Sequence, residues 1–272
     1  MDQLALPDVG FGTWENTDPE ECISSVQTAL EAGYRHVDTA QYYGNEEYVG
    51  RGIERASVDR EDVIVATKLH PETCGLGYED VLAGAEASLD RLGVEYIDLL
   101  YVHWPVLDYD PAETLKAFDE LRDRGVITEI GLSNFSIELL EEAEAVLESP
   151  LFAHQIEMHP LFRQEELCRY ARERGHFLVA YSPLARGDVL DIELLQELAH
   201  QYDASPAQIS LAWLLSKENV VTIPKSTDPE HIRANLEGVE LELDPEDVAR
   251  IDGIEREHRY VERPGAPWLG AE

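Results

Sequence analysis

Short apolar runs alternate with stretches whose apolar residues recur at helical spacing, from one end of the chain to the other. The runs predict strands at Arg35–Asp38, Val63–Lys68, Ile97–His103, Ile127–Leu132, Ala153–Glu157, Phe177–Tyr181 and Val220–Pro224, with a weak eighth at Val239–Leu241. Between them the helical pattern predicts helices at Pro19–Glu31, Glu46–Ala56, Tyr78–Leu92, Ala112–Arg124, Ile137–Leu147, Glu165–Arg174, Ile192–Tyr202, Pro206–Lys217 and Pro229–Leu236, and a last one at Pro245–Ile254. Gly33, Gly93, Gly125 and Gly175 fall just past four of these helices, where a chain leaving a helix takes a left-handed turn. Strand–helix alternation of this kind builds a parallel sheet. Eight such units in 272 residues suit a (β/α)8 TIM barrel, typically about 250 residues. A doubly wound open sheet is the competing architecture. No GxGxxG turn follows the first strand, and polar residues recur after nearly every strand instead of at one switch point. No linker or low-complexity stretch divides the chain, so residues 1–272 are expected to form a single domain.

In a closed barrel the C-terminal ends of the strands share one mouth. Four proton-handling side chains sit there in prospect: Asp38, Tyr43, Lys68 and His103. A free phenol, with a pKa near 10, is a poor acid at neutrality. An ammonium beside it favours the phenolate, so Lys68 is expected to lower the pKa of Tyr43 while Asp38 orients Lys68. His103 can hydrogen-bond a substrate oxygen. The set is suited to protonating an oxygen while hydride is delivered to the attached carbon. Taken singly each residue has a plain structural reading: an ion pair, one tyrosine of twelve, a core histidine. Placement after successive strands is what favours chemistry. Past the later strands, Ser133, Asn134, Gln155, Tyr181 and Ser182 offer groups on which a nicotinamide ring can stack and its carboxamide bond. Lys225 and Ser226 precede a helix N-terminus, a suitable place for a phosphate.

Charge changes the picture of the surroundings. Fifty-six acidic against twenty-one basic residues give −35, and only Lys68, Lys116, Lys217 and Lys225 are lysines. Such a surface repels nucleic acid. The acids are spread along the chain, which rules against an acidic tail. Their mutual repulsion fades as the Debye length shrinks to about 3 Å at 1 M salt, so a halophilic, salt-adapted protein is expected. No apolar run is long enough to span a membrane, and the first residues lack the pattern of a secretion signal, so a cytoplasmic protein is expected. Cys22, Cys74 and Cys168 are too few and too scattered for a disulfide framework or a zinc site, and no HExxH-type spacing suggests a metal.

Several motifs resemble the aldo-keto reductases, in particular the short prokaryotic type similar to 2,5-diketo-gluconate reductases. These are GFGTW at Gly10–Trp14, DTAQYYGNE at Asp38–Glu46, HWP at His103–Pro105, GLSNF at Gly131–Phe135, QIEMHP at Gln155–Pro160, YSPLARG at Tyr181–Gly187 and IPKS at Ile223–Ser226. The match runs from Leu6 to about Asp252. The resemblance implies a catalytic tetrad of Asp38, Tyr43, Lys68 and His103, with Tyr43 as general acid. It implies that Ser133, Asn134 and Gln155 hold the carboxamide, that Tyr181 stacks the nicotinamide, and that Ser182 and Leu184 line the pyrophosphate path. Lys225 and Ser226 would hold the 2′-phosphate of NADP, with Asn235 at the adenine, and Trp14 and Trp104 would wall the substrate pocket.

Three departures qualify these expectations. His231 stands where NADP-preferring members usually carry an arginine, which weakens the grip on a 2′-phosphate. The loop between Pro105 and Ala112 and the tail Arg263–Glu272 are short, so the pocket is expected to be open. The N-terminal hairpin that usually plugs the barrel is largely missing before Leu6. The expected protein is a monomeric NADPH-dependent reductase of aldehydes and ketones, with NADH as a second cofactor and a small-molecule carbonyl compound as partner. The competing readings are NAD(P)-dependent oxidation of a sugar or secondary alcohol, and a nucleotide-binding regulatory subunit with little catalysis.

Overall fold

The computed structural model describes residues 4–269. Eight parallel strands follow in sequence order: β1 Phe11–Gly12, β2 His36–Asp38, β3 Ile64–Leu69, β4 Ile97–Val102, β5 Ile127–Ser133, β6 Ala153–Glu157, β7 Phe177–Tyr181 and β8 Val220–Thr222. Beside β1, Val9 pairs in parallel with Thr222, and the Gly10 amide donates to the Thr222 carbonyl at 2.8 Å. That ladder closes the sheet, and a (β/α)8 barrel results. The helices are α1 Pro19–Ala32, α2 Glu46–Arg55, α3 Tyr78–Leu92, α4 Pro111–Asp123, α5 Ile137–Val146, α6 Glu165–Arg174, α7 Glu193–Gln201, α8 Pro206–Leu215, α9 Pro229–Glu237 and α10 Pro245–Asp252.

Two expectations about the strands are corrected. Val239–Leu241 forms no strand: Gly238–Glu240 is a single 3-10 turn directly after α9. The missing strand is β1, hidden in what reads as a lead-in. Its two residues are too few for an apolar period to register, and its pairing with β2 and the adjacent Val9–Thr222 bridge define it. Elsewhere the predicted and observed boundaries agree to within a residue or two.

Helix starts follow a local rule. Asp18, Asp110, Ser205 and Asp228 each precede a proline, and each accepts backbone amides of the first turn. The proline has no amide to orphan, and the cap oxygen satisfies amides that the helix cannot. Along β3 the side chains alternate. Val65 and Leu69 pack outward against the helices, whereas Ile64 and Ala66 join Leu99, Tyr101, Phe152 and Val179 inside the barrel. Lys68 belongs to the inward set, one step above Ala66. Gly131 leaves room for the Tyr101 ring; a Cβ there would lie 2.3 Å from Tyr101 Cδ1. Leu6 belongs to the interior cluster, and Leu4 packs against it.

Candidate active site

Period two carries charged and polar residues up the barrel wall to its mouth. Asp38 ends β2, Lys68 is the last but one residue of β3, and His103 follows β4. All three are buried, Lys68 completely. Lys68 Nζ donates to Asp38 Oδ1 at 2.5 Å and to the Thr39 carbonyl at 2.8 Å. Asp38 Oδ2 accepts Gln155 Nε2 at 2.8 Å. Tyr43 closes the 3-10 turn Gln41–Tyr43. Its ring centroid is 5.2 Å from Lys68 Nζ and 5.8 Å from the His103 ring, which meets it edge-on. The four expected residues therefore form one cluster.

The electrostatics differ from expectation in one respect. Burial, with the Asp38 carboxylate and Tyr181 adding to it, holds the Tyr43 phenol well above its usual pKa, so Lys68 does not acidify it in the resting site. Asp38 sits against the same ammonium and cancels much of its field at the phenol. Burial pulls Lys68 down, opposed by Asp38. It also drives His103 well below the usual imidazole range, with Lys68, His70 and Arg263 helping. Tyr43 thus keeps its proton, and His103 is neutral.

Around them lies a cavity of about 750 Å³. Asp38, Tyr43 and His103 line it, with Trp14 and Trp104 on the walls. Ser133, Asn134, Gln155, Tyr181, Ser182 and Leu184 line it from the later strands, and Lys225 lines it too. Tyr181 donates to Asn134 Oδ1 at 2.8 Å, while Asn134 Nδ2 donates to the His103 carbonyl and to Ser133 Oγ, both at 3.0 Å. These bonds leave an Asn134 Oδ1 lone pair and the second Gln155 Nε2 hydrogen, enough to accept from and donate to one carboxamide. Asn134 and Ser182 adopt positive φ values of 65° and 50°. Such strain in non-glycine residues at strand ends is a recurrent mark of functional loops.

Ser226, His231 and Asn235 are not brought into the cavity. His231 is exposed and Asn235 buried. The first amides of α9 are already taken: Asp228 Oδ1 accepts the Glu230 amide at 2.7 Å and the His231 amide at 3.2 Å. A phosphate near Lys225 would meet that carboxylate, so the expected helix-terminus site is weakened by its own cap.

Sequence reasoning missed two groups. Asn45, fully buried, donates to the Thr13 carbonyl at 2.9 Å and accepts Thr39 Oγ1 at 2.8 Å, tying the β1 and β2 loops together. His70, Glu72 and Arg263 line the substrate end. His70 is two residues past Lys68, so the period that raised Lys68 could have found it. The pocket is also less open than expected: Val261, Glu262, Arg263 and Pro264 line it, and Ala266 and Trp268 pack on Trp104 and Val106. The last residues of the tail, 270–272, lie outside the described residues.

Residues 8–256 match the model of the aldo/keto reductase family. A glyoxal reductase of Bacillus subtilis (strain 168) is 39% identical over 261 residues, covering 96% of this chain and 93% of that protein. A structure provisionally assigned as 2,5-diketo-D-gluconic acid reductase B superposes with a TM-score of 0.91 at 32% identity, covering 96% of this chain and 92% of that one. An aldo-keto reductase of Bombyx mori in complex with NADP gives 0.89 at 32% identity, covering 96% and 93%.

Proposed function

The chain belongs to the aldo/keto reductase family of NAD(P)H-dependent oxidoreductases, and from that premise we propose that it reduces aldehydes and ketones to alcohols with NADPH, Tyr43 supplying the proton. The bound dihydronicotinamide supplies the hydride. Tyr181, Asn134 and Gln155 would hold its ring and carboxamide beside Tyr43, and Ser182, Leu184, Lys225 and Ser226 would follow the rest of the cofactor. NADH is the second cofactor, because His231 and the Asp228 cap leave Lys225 as the main cation for a 2′-phosphate.

One observation carries the reading: a phenol that keeps its proton stands between an ammonium and a neutral imidazole at the floor of the cavity. His103 can donate one N–H to the carbonyl oxygen and hold it within reach of the Tyr43 hydroxyl. As the proton leaves Tyr43, negative charge develops on a phenol oxygen whose ring lies beside Lys68, and the ammonium stabilises that charge where it forms. A resting pKa above 10 does not impede this, since the ammonium acts on the developing phenolate. Asp38 and the Thr39 carbonyl fix the ammonium in place. The reading extends to a salt-adapted protein on the grounds of its charge, and to a monomer because no sustained exposed apolar stripe stands out in the sequence.

Tyr43→Phe tests it. Carbonyl reduction is expected to fall about 10²- to 10⁴-fold, while NADPH binding, followed by quenching of tryptophan fluorescence, stays close to wild type. Turnover unchanged in that variant would overturn the assignment of Tyr43.

A further inference from the structure

Arg263 enters the substrate end of the cavity on a segment held at both ends. Before it, the amides of Tyr260 and Val261 donate to the buried Glu157 carboxylate at 2.6 Å and 2.9 Å. After it, Ala266 and Trp268 pack on Trp104 and Val106. The guanidinium lies 2.7 Å from His70 Nε2 and 2.6 Å from Glu72 Oε1, and 5.8 Å from the centre of the Trp104 ring.

The contacts around His70 are mismatched. The Glu72 amide approaches Nδ1 at 3.2 Å while Arg263 approaches Nε2, and both can only donate. Burial and Arg263 push His70 down to about 4, so the ring is neutral and has a single acceptor nitrogen. One of the two donors must face an N–H. The other restraint on Arg263, itself largely buried, is the half-exposed Glu72 carboxylate at 2.6 Å, a partner that water reaches on its outer side. Arg263 is therefore placed by its segment, with one contact at its head mismatched and the other, to Glu72, open to exchange from solvent. An anion arriving from solvent would accept from the guanidinium and free His70 Nε2–H to donate to it as well.

The position gives this consequence. The His70 ring stands 5.1 Å from the His103 ring, edge to face, and Tyr42 stacks on His70 at 4.2 Å. An anion held by Arg263 would lie one ring away from the imidazole facing the carbonyl. A surface of net charge −35 repels anions, whereas in this cavity Arg186, Lys225 and Arg263 stand against Glu15, Asp38, Glu72 and Glu262. Lys225 is at the cofactor end and Arg186 lies over Trp14 at 4.9 Å, leaving Arg263 beside the catalytic histidine.

We propose that Arg263 is the specificity-determining residue of the pocket, selecting short carbonyl compounds that carry a carboxylate near the reacting carbon, with Glu72 as the internal anion it exchanges. The inference rests on the reductase reading above, and its test keeps the two apart.

Succinic semialdehyde and its methyl ester differ in charge but hardly in the reacting aldehyde. The full chain in molar KCl is expected to favour the acid. Arg263→Gln should lower the acid-over-ester ratio of kcat/KM by roughly tenfold to a hundredfold, mainly through KM, the span of a charged hydrogen bond. Arg263→Lys should restore part of it. Glu72→Gln should raise the ratio, because the competing carboxylate is gone. A purely structural latch predicts the opposite: equal losses on acid and ester in both Arg263→Gln and Glu72→Gln, which would overturn the proposal. Succinate binding by calorimetry provides a readout without turnover. Weaker binding to Arg263→Gln supports the anion site even if neither aldehyde is reduced, a result that would sink the reductase reading alone. Equal succinate affinity for wild type and Arg263→Gln sinks the proposal, whatever the turnover.

Discussion

Tyr43 and Lys68 carry opposite consequences of the same burial: one is held in its neutral form, the other is pushed toward it. Lys68 has its counter-charge in Asp38 and a second acceptor in the Thr39 carbonyl, and Asp38 in turn has Lys68 and Gln155. A buried pair of this kind contributes little as a pair, but breaking it leaves an uncompensated charge. Lys68→Met is therefore expected to cost about 3–5 kcal/mol and to abolish reduction. Adding Asp38→Asn should recover much of that stability without recovering activity. Urea unfolding in molar KCl checks this; a double variant as unstable as the two single losses summed would show that the pair is not coupled. These four residues were legible because each follows or ends an apolar run, and a strand's end defines a place in a barrel. The sign of the shift on Tyr43 was not legible, since it depends on how far Asp38 neutralises the ammonium. Arg263 was hidden for another reason. It comes from an irregular tail with no periodicity, and its place is set by Glu157, over a hundred residues earlier.

At the scale of elements, the barrel was readable wherever a strand was long enough to show alternation. Pattern reading missed β1 and placed an eighth strand at Val239–Leu241, because closure is a property of pairing between distant segments and leaves no local trace. The Lys68 shelf depends on an interior feature that only the assembled wall explains. Tyr101 lies beneath the ammonium, 5.8 Å from ring centre to Nζ, and it fits because β5 has no side chain at Gly131. Gly131→Ala puts a methyl into that ring, and the packed wall cannot yield cheaply. A destabilisation of about 1–3 kcal/mol is expected, together with a fall in kcat as Tyr101 is pushed toward Lys68. Thermal unfolding and steady-state rates test the two halves of this prediction; an alanine variant as stable and as active as wild type would show that the glycine is incidental.

Over the whole molecule two pH-dependent terms of opposite sign compete, and salt decides which is seen. Even with every basic group paired, 35 carboxylates remain uncompensated, and their repulsion opposes the folded state in dilute buffer. Inside, His36 and His176 are pushed down to about 4 and His154 to about 3, each chiefly by burial. Both ring nitrogens of His36 are buried without a hydrogen-bond partner among the described residues. The folded pKa of these groups is below the unfolded value of about 6.5, so the unfolded chain binds more protons between the two. Their stabilising effect is complete above about pH 6.5 and is lost as the pH falls toward 4, on the order of 3 kcal/mol for each group. Protonating surface carboxylates relieves repulsion over the lower part of that range, which offsets the loss at low ionic strength. Molar KCl screens the repulsion and leaves the buried imidazoles untouched. Stability at pH 7.5 should therefore rise with KCl, and the decline between pH 6.5 and 4 should be steeper in 2 M KCl than in dilute buffer. Urea midpoints measured over that grid decide the matter, with His36→Leu, close in volume and unable to titrate, expected to flatten the high-salt slope. If wild type is most stable in dilute buffer, the acidic surface has some purpose other than salt; if the leucine variant keeps the full slope, His36 is not among the groups that set it.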